Sequence, residues 1–104
     1  MAQNARVHQT EQAQLQLERR WAVYLLNDDY TAFEWVQTIL MSLFHLTMDQ
    51  AYEVTMSVHL QGEGLAGIYE DREQADTLAK KAMALSRTRG YPLMCQVRPV
   101  EAEA

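Results

Sequence analysis

The chain has 104 residues, 48% of them hydrophobic, which allows one compact domain with a modest core and argues against global disorder. Nine Lys and Arg against fourteen Asp and Glu leave a formal charge of -5, the wrong balance for nucleic acid, whose phosphates need a clustered basic surface. Cys95 is the only cysteine, so no internal disulfide forms, and no apolar run approaches the roughly 20 residues of a membrane span.

Residues Met1 to Arg20 are polar and glutamine-rich, with Val7, Leu15 and Leu17 as the only sizeable apolar side chains. So little burial does not offset the entropy of ordering, and a flexible tail over residues 1–20 is expected. No apolar stretch flanked by basic residues marks a secretory leader, so a cytoplasmic protein without a membrane partner is expected. A negative surface suits partners that carry positive charge, and a protein α-amino group is one.

Trp21 to Leu26 is short, apolar and rich in β-formers, which predicts a buried strand. Asn27-Asp28-Asp29-Tyr30 has turn chemistry. Thr31-Ala32-Phe33-Glu34 then reads as a capping box, with Thr31 accepting from the third helical N–H and Glu34 reaching back. Val36, Ile39, Leu40, Leu43 and Phe44 follow at one-face helical spacing. A second box, Thr47-Met48-Asp49-Gln50, opens another helix that carries Ala51, Val54, Thr55, Val58 and His59 on one side. Gly62 and Gly64 are read as its end.

Leu65 to Tyr69 reads as a second strand. Asp71 or Asp76 opens the third helix, with Ala75, Leu78, Ala79, Ala82 and Leu85 as its core stripe, and Thr88-Arg89-Gly90 ends it ahead of Pro92. Leu93 to Val97 is the last strand. The predicted organisation is a tail over 1–20, a core domain over 21–98 and a short acidic tail over 99–104. The order β-α-α-β-α-β, with one-sided helices, makes a two-layer α/β sandwich the expected architecture.

Three segments resemble the ClpS family. Leu25-Leu26-Asn27-Asp28-Asp29-Tyr30-Thr31, with Glu34 and Val36, is similar to the L-x-N-D-D-x-T-x-M-E-x-V run that leaves that family's first strand. Val58-His59-Leu60-Gln61-Gly62 is similar to its V-H-x-x-G, and Tyr91-Pro92-Leu93-Met94-Cys95 to its H-P-L-L-C. The resemblance covers Trp21 to Val97 in one register, with about one extra residue before the third helix.

That resemblance implies a non-enzymatic adaptor without cofactor or metal, folded as an α/β (α+β) sandwich of three antiparallel strands and three helices. Such a protein binds N-degron substrates beginning with Leu, Phe, Tyr or Trp and delivers them to a ClpA- or ClpC-type unfoldase for ClpP. A monomer is expected.

The chemistry of the residues suits that task. An α-amino group, with a pKa near ~7.7–8.0, is mostly charged at neutral pH and needs acceptors. Asn27 offers a carbonyl, Asp28 and Asp29 offer charge, and a neutral His59 offers a ring nitrogen. An internal peptide bond brings no ammonium to that set. For the neighbouring side chain, the resemblance assigns a pocket of Leu26, Thr31, Phe33, Val36, Thr55, Val58 and Leu93.

Several residues depart from the family's pattern. Ala32 replaces a usual proline. Phe33 stands at a gatekeeper position, commonly methionine, that excludes β-branched residues, and Thr55 replaces a second methionine. A pocket of changed shape that still rejects Val and Ile is expected, with Leu, Phe, Tyr and Trp ranked differently. On the third helix the family docks its unfoldase through an E-x-A-E-x-K-like pattern, which Glu73, Ala75, Asp76 and Thr77 fit, while Leu78 stands where lysine is expected.

Three other readings compete. A hydrolase would pair His59 with Asp28 or Asp29, but no serine or cysteine has a nucleophile's context. A metal site would need His45, His59 and Cys95 together, at a spacing that fits no metal motif. An interaction module of ClpS fold with altered or lost specificity would have no use for the Asn27, Asp28, Asp29 and His59 set.

Overall fold

Strand β1, Arg20–Leu26, is the middle of a three-stranded sheet, and the computed structural model describes residues 20–100 around it. The expected tail over 1–20 lies outside the described residues except for Arg20, which is already strand and pairs with Val100. Two helices follow, α1 at Phe33–Ser42 and α2 at Met48–Gln61. Then come β2 at Glu63–Tyr69, α3 at Arg72–Thr88 and β3 at Met94–Val100. Both β2 and β3 run antiparallel to β1, giving the order β2-β1-β3. The element order and the antiparallel two-layer sandwich agree with expectation.

Alternation along the strands separates two faces. Val23 and Leu25, both fully buried, pair with Val97 and Cys95 and meet the core from the helix side. Tyr24 pairs with Leu65 and Gln96, and Leu26 with Met94, on the opposite, open face. A bulge in β2 leaves Ala66 without a partner, so Leu65 and Ile68, three residues apart, share that open face. There Arg98 forms two hydrogen bonds to Glu63, at 2.7 and 2.9 Å, and lies 4.2 Å from the Tyr24 ring centroid.

The core is Val23, Leu25 and Leu93 from the sheet side against Val36, Ile39, Leu40 and Phe44, with Ala51, Val58, Ala75, Ala79 and Ala82 from the other helices. Alanines along α3 let that helix lie close on the strands. Its stripe differs from expectation at one end: Leu85 is exposed, and Ser86 is fully buried instead. Ser86 is tolerated because both sides of its hydroxyl are used. It accepts from Trp35 Nε1 at 2.8 Å and donates to the Ala82 carbonyl at 2.7 Å.

Other local readings need correction. Gly62 caps α2 in the left-handed region, at φ 89°, but Gly64 is part of β2. A Cβ there would sit 2.7 Å from the Val54 carbonyl oxygen and 2.8 Å from Val58 Cγ2, so the absent side chain sets how closely β2 approaches α2. Strand β3 continues past Val97 through Pro99 to Val100. An edge strand tolerates proline because half its N–H groups have no strand to meet. Asp71, not Asp76, caps α3, accepting from the Glu73 N–H at 3.0 Å.

Candidate functional site

The site grows from the loop between β1 and α1. Asn27 donates its N–H to the Gly62 carbonyl at 2.9 Å, which ties the loop's first residue to the C-terminal end of α2. Asp28 organises the rest of the loop. Its Oδ1 accepts from the N–H groups of Tyr30 and Thr31, at 2.8 and 2.7 Å, and its Oδ2 accepts from the Thr31 hydroxyl at 2.7 Å. This is an Asx-type turn, a local closure that Asp favours.

Thr31 is therefore not the cap that its sequence context implied. Ala32 occupies the N-cap position and has no side-chain oxygen to cap with: the helix starts one residue later than the box requires, and Thr31 stays in the loop, donating its hydroxyl to Asp28. The box at Thr47 and Gln50, by contrast, is fully formed.

Partial burial works to raise the Asp28 pKa, but the bonds from Thr31 and Tyr30, with the positive charge of Arg87, outweigh it. Its carboxyl is held below its ordinary 3.8. Arg87 was not singled out from sequence. It also donates to the carbonyls of Tyr91 and Leu93, at 3.0 and 2.9 Å, joining the end of α3 to the approach of β3.

Between this loop, α1 and α2 lies a pocket of about 320 Å³. Asn27, Asp28, Asp29 and His59 form its polar part, and Thr31, Phe33, Val36, Thr55 and Val58 the rest. Asn27, Asp29 and His59 are exposed, so their acceptors are open to a ligand. Asp28 lines the pocket with oxygens already engaged in the loop. Thr55 is buried and donates to the Ala51 carbonyl at 2.6 Å, so its hydroxyl is satisfied within its own helix.

Two residues that the resemblance assigns to the pocket, Leu26 and Leu93, are not among those lining it; Leu93 is fully buried in the core that Val36 and Val58 also join. One neighbour was missed. The Tyr52 ring meets Phe33 edge-on, with centroids 5.8 Å apart and planes at 62°. Tyr52, Thr55 and His59 recur at i, i+3 and i+7, a spacing that places them on one side of α2.

Glu73, Asp76 and Thr77 lie on the first turns of α3, away from the pocket lining. Glu73 and Thr77 are exposed, and Asp76 pairs with Arg72 at 3.7 Å. Leu78 packs half-buried against the core.

The pocket holds no serine or cysteine, and both of its threonine hydroxyls donate elsewhere. Burial, opposed only weakly by Arg87, pushes the Cys95 thiol up to about 12, so the protonated, unreactive form prevails. Among the described residues no group of three or more His, Cys, Asp or Glu side chains gathers as a metal site would require. Nor does any helix among them have the length and apolarity to cross a membrane.

Comparison with known proteins agrees with the geometry. Residues 16–96 match the family model described as ATP-dependent Clp protease adaptor protein ClpS. The ClpS adapter of Lawsonia intracellularis is 40% identical over 90 residues, covering 86% of this chain and 82% of that one. That of Neisseria gonorrhoeae is 43% identical over 82 residues, covering 79% and 78%. Among solved structures, Agrobacterium tumefaciens ClpS2 bound to L-phenylalaninamide superimposes with a TM-score of 0.74 at 35% identity, over 79% of this chain and 98% of that one.

Proposed function

The chain belongs to the ClpS family of Clp protease adaptors, which are not themselves catalytic, and from that premise we propose that it captures polypeptides by a free N-terminal Leu, Phe, Tyr or Trp. The observation that carries this is the joining of two unlike surfaces in one pocket. Exposed acceptors of Asn27, Asp29 and His59 stand beside the apolar surface of Phe33, Val36 and Val58.

An N-terminal ammonium has three donors to place and a bulky neighbour to bury, and this pocket answers both needs. Phenylalaninamide, the ligand of the similar Agrobacterium protein, has the same two parts: a free α-amino group and a benzyl side chain. Asp28 supports the acceptors by fixing their loop. Captured cargo then passes to a ClpA- or ClpC-type unfoldase and on to ClpP, with Glu73, Asp76 and Thr77 as the docking residues. The adaptor works as a monomer in the cytoplasm.

The direct test is fluorescence anisotropy with a labelled peptide beginning with Phe, beside its N-acetylated twin. Saturable binding of the free peptide, abolished by acetylation, is the expected result. Equal binding of both, or of neither, rejects N-terminal capture and leaves the chain as an interaction module of ClpS fold.

A further inference from the structure

We infer that Tyr52 is a specificity-determining residue of this pocket, acting as a brace that keeps the Phe33 ring from receding. The inference rests on the capture reading above and names a residue that touches no part of the cavity itself.

Phe33 is the first residue of α1, directly after the Ala32 cap, so its side chain walls the pocket just beyond the loop that carries the acceptors. The backbone beneath it is held. Ala32 accepts from Trp35 and Val36 at 3.1 and 3.2 Å, and Asp28 closes the preceding turn. What remains free is rotation of the half-buried side chain. One side of it lines the pocket; elsewhere it meets Tyr52 edge-on at 5.8 Å.

Tyr52 is 51% exposed and absent from the lining, yet it comes from α2, the helix that supplies Thr55, Val58 and His59 to the same cavity. The pair therefore ties a wall on α1 to α2. Edge-to-face rings prefer a defined geometry, so Phe33 resists displacement where a flexible side chain would yield. A wall that does not yield close to the acceptors discriminates by shape near a ligand's Cβ. A ligand branched at Cβ must displace it, whereas Phe, branching one carbon later, does not.

The test measures affinities of peptides beginning with Phe and with Ile, free and N-acetylated, for wild type, Tyr52→Ala and Tyr52→Phe. It repeats them for Phe33→Ala and for the Phe33→Ala/Tyr52→Ala double variant. Tyr52→Ala is expected to raise the Ile-to-Phe affinity ratio roughly two- to tenfold, with Tyr52→Phe leaving it unchanged. In the Phe33→Ala background, removing Tyr52 should have no further effect on the ratio.

A merely structural role would weaken both peptides equally and leave the ratio fixed. That result, or the same shift in the absence of Phe33, overturns the brace while leaving N-terminal capture intact. A wild type that binds free and acetylated peptides alike overturns both.

Discussion

Asp28 takes both the N–H and the hydroxyl of Thr31, each at 2.7 Å, and this pairing sets the shape of the loop from which the pocket is built. A carboxylate so engaged is a positioning group first. Its removal should disturb every acceptor that the loop presents.

Replacing Asp28 by Ala strands two backbone N–H groups and one hydroxyl, at about 0.5–1.5 kcal/mol for each lost bond. The expected result is a lower Tm and at least a tenfold weaker affinity for a Phe-initiated peptide. The pH dependence follows from the lowered folded-state pKa. Because folding depresses it, the stabilisation is complete above the unfolded value, near ~3.9, and is lost as pH falls through the folded one. Thermal melts of wild type and Asp28→Ala should differ fully at pH 7 and draw together as the pH falls below the ordinary carboxylate range. A constant difference across that range would contradict the role of the charge.

Asn27 and His59 present the opposite case. Both are exposed and lack a side-chain hydrogen bond to the rest of the described protein, so Asn27→Ala and His59→Ala should leave Tm within a degree or two. Each removes an acceptor for a charged group, worth about 1.5–3 kcal/mol, so peptide affinity should fall roughly ten- to a hundredfold. Titration of the purified variants with the free peptide, beside their melts, separates binding from folding. Unchanged affinity in both would remove them from the site.

Gly64 links the fold to the pocket through Val58. A methyl group there meets backbone at 2.7 Å and the Val58 side chain at 2.8 Å, and Val58 lines the cavity. Gly64→Ala should cost about 1–3 kcal/mol and weaken peptide binding as α2 shifts. Urea melts at matched peptide concentrations measure both effects, and a neutral variant would mean that α2 moves away freely.

Cys95 should be slow to react. With its thiol pushed up to about 12 by burial, labelling of native protein at pH 8 by a disulfide reagent should run on the order of a thousandfold slower than in denaturant. Absorbance of the released thiol reports the rate directly. Fast labelling of the folded protein would place Cys95 nearer to solvent.

Much of this was legible from local pattern, and the exceptions are instructive. Two segments carry the same capping-box spelling, Thr31 to Glu34 and Thr47 to Gln50, but only the second forms it. The first helix starts one residue late, with Ala32 at the cap, and Thr31 stays in the loop that Asp28 closes. In α3 the apolar spacing pointed to Leu85, whereas the buried position belongs to Ser86, whose hydroxyl serves an indole 51 residues away in the chain. A hydrophobic stripe cannot register a polar residue that a distant partner makes acceptable.

Sequence by itself determined the element order, the three motifs and the family to which they belong, because periodicity, turn chemistry and caps act over a few residues. It also pointed to Asn27, Asp28, Asp29 and His59, all four of which line one pocket in the fold. Only the tertiary structure decided that Leu93 lies in the core, that Gly64 is a point of close approach, and that Phe33 leans on Tyr52. Each of these depends on where one element sits against another. Packing of that kind is fixed by the summed contacts of the whole domain, which no local window contains.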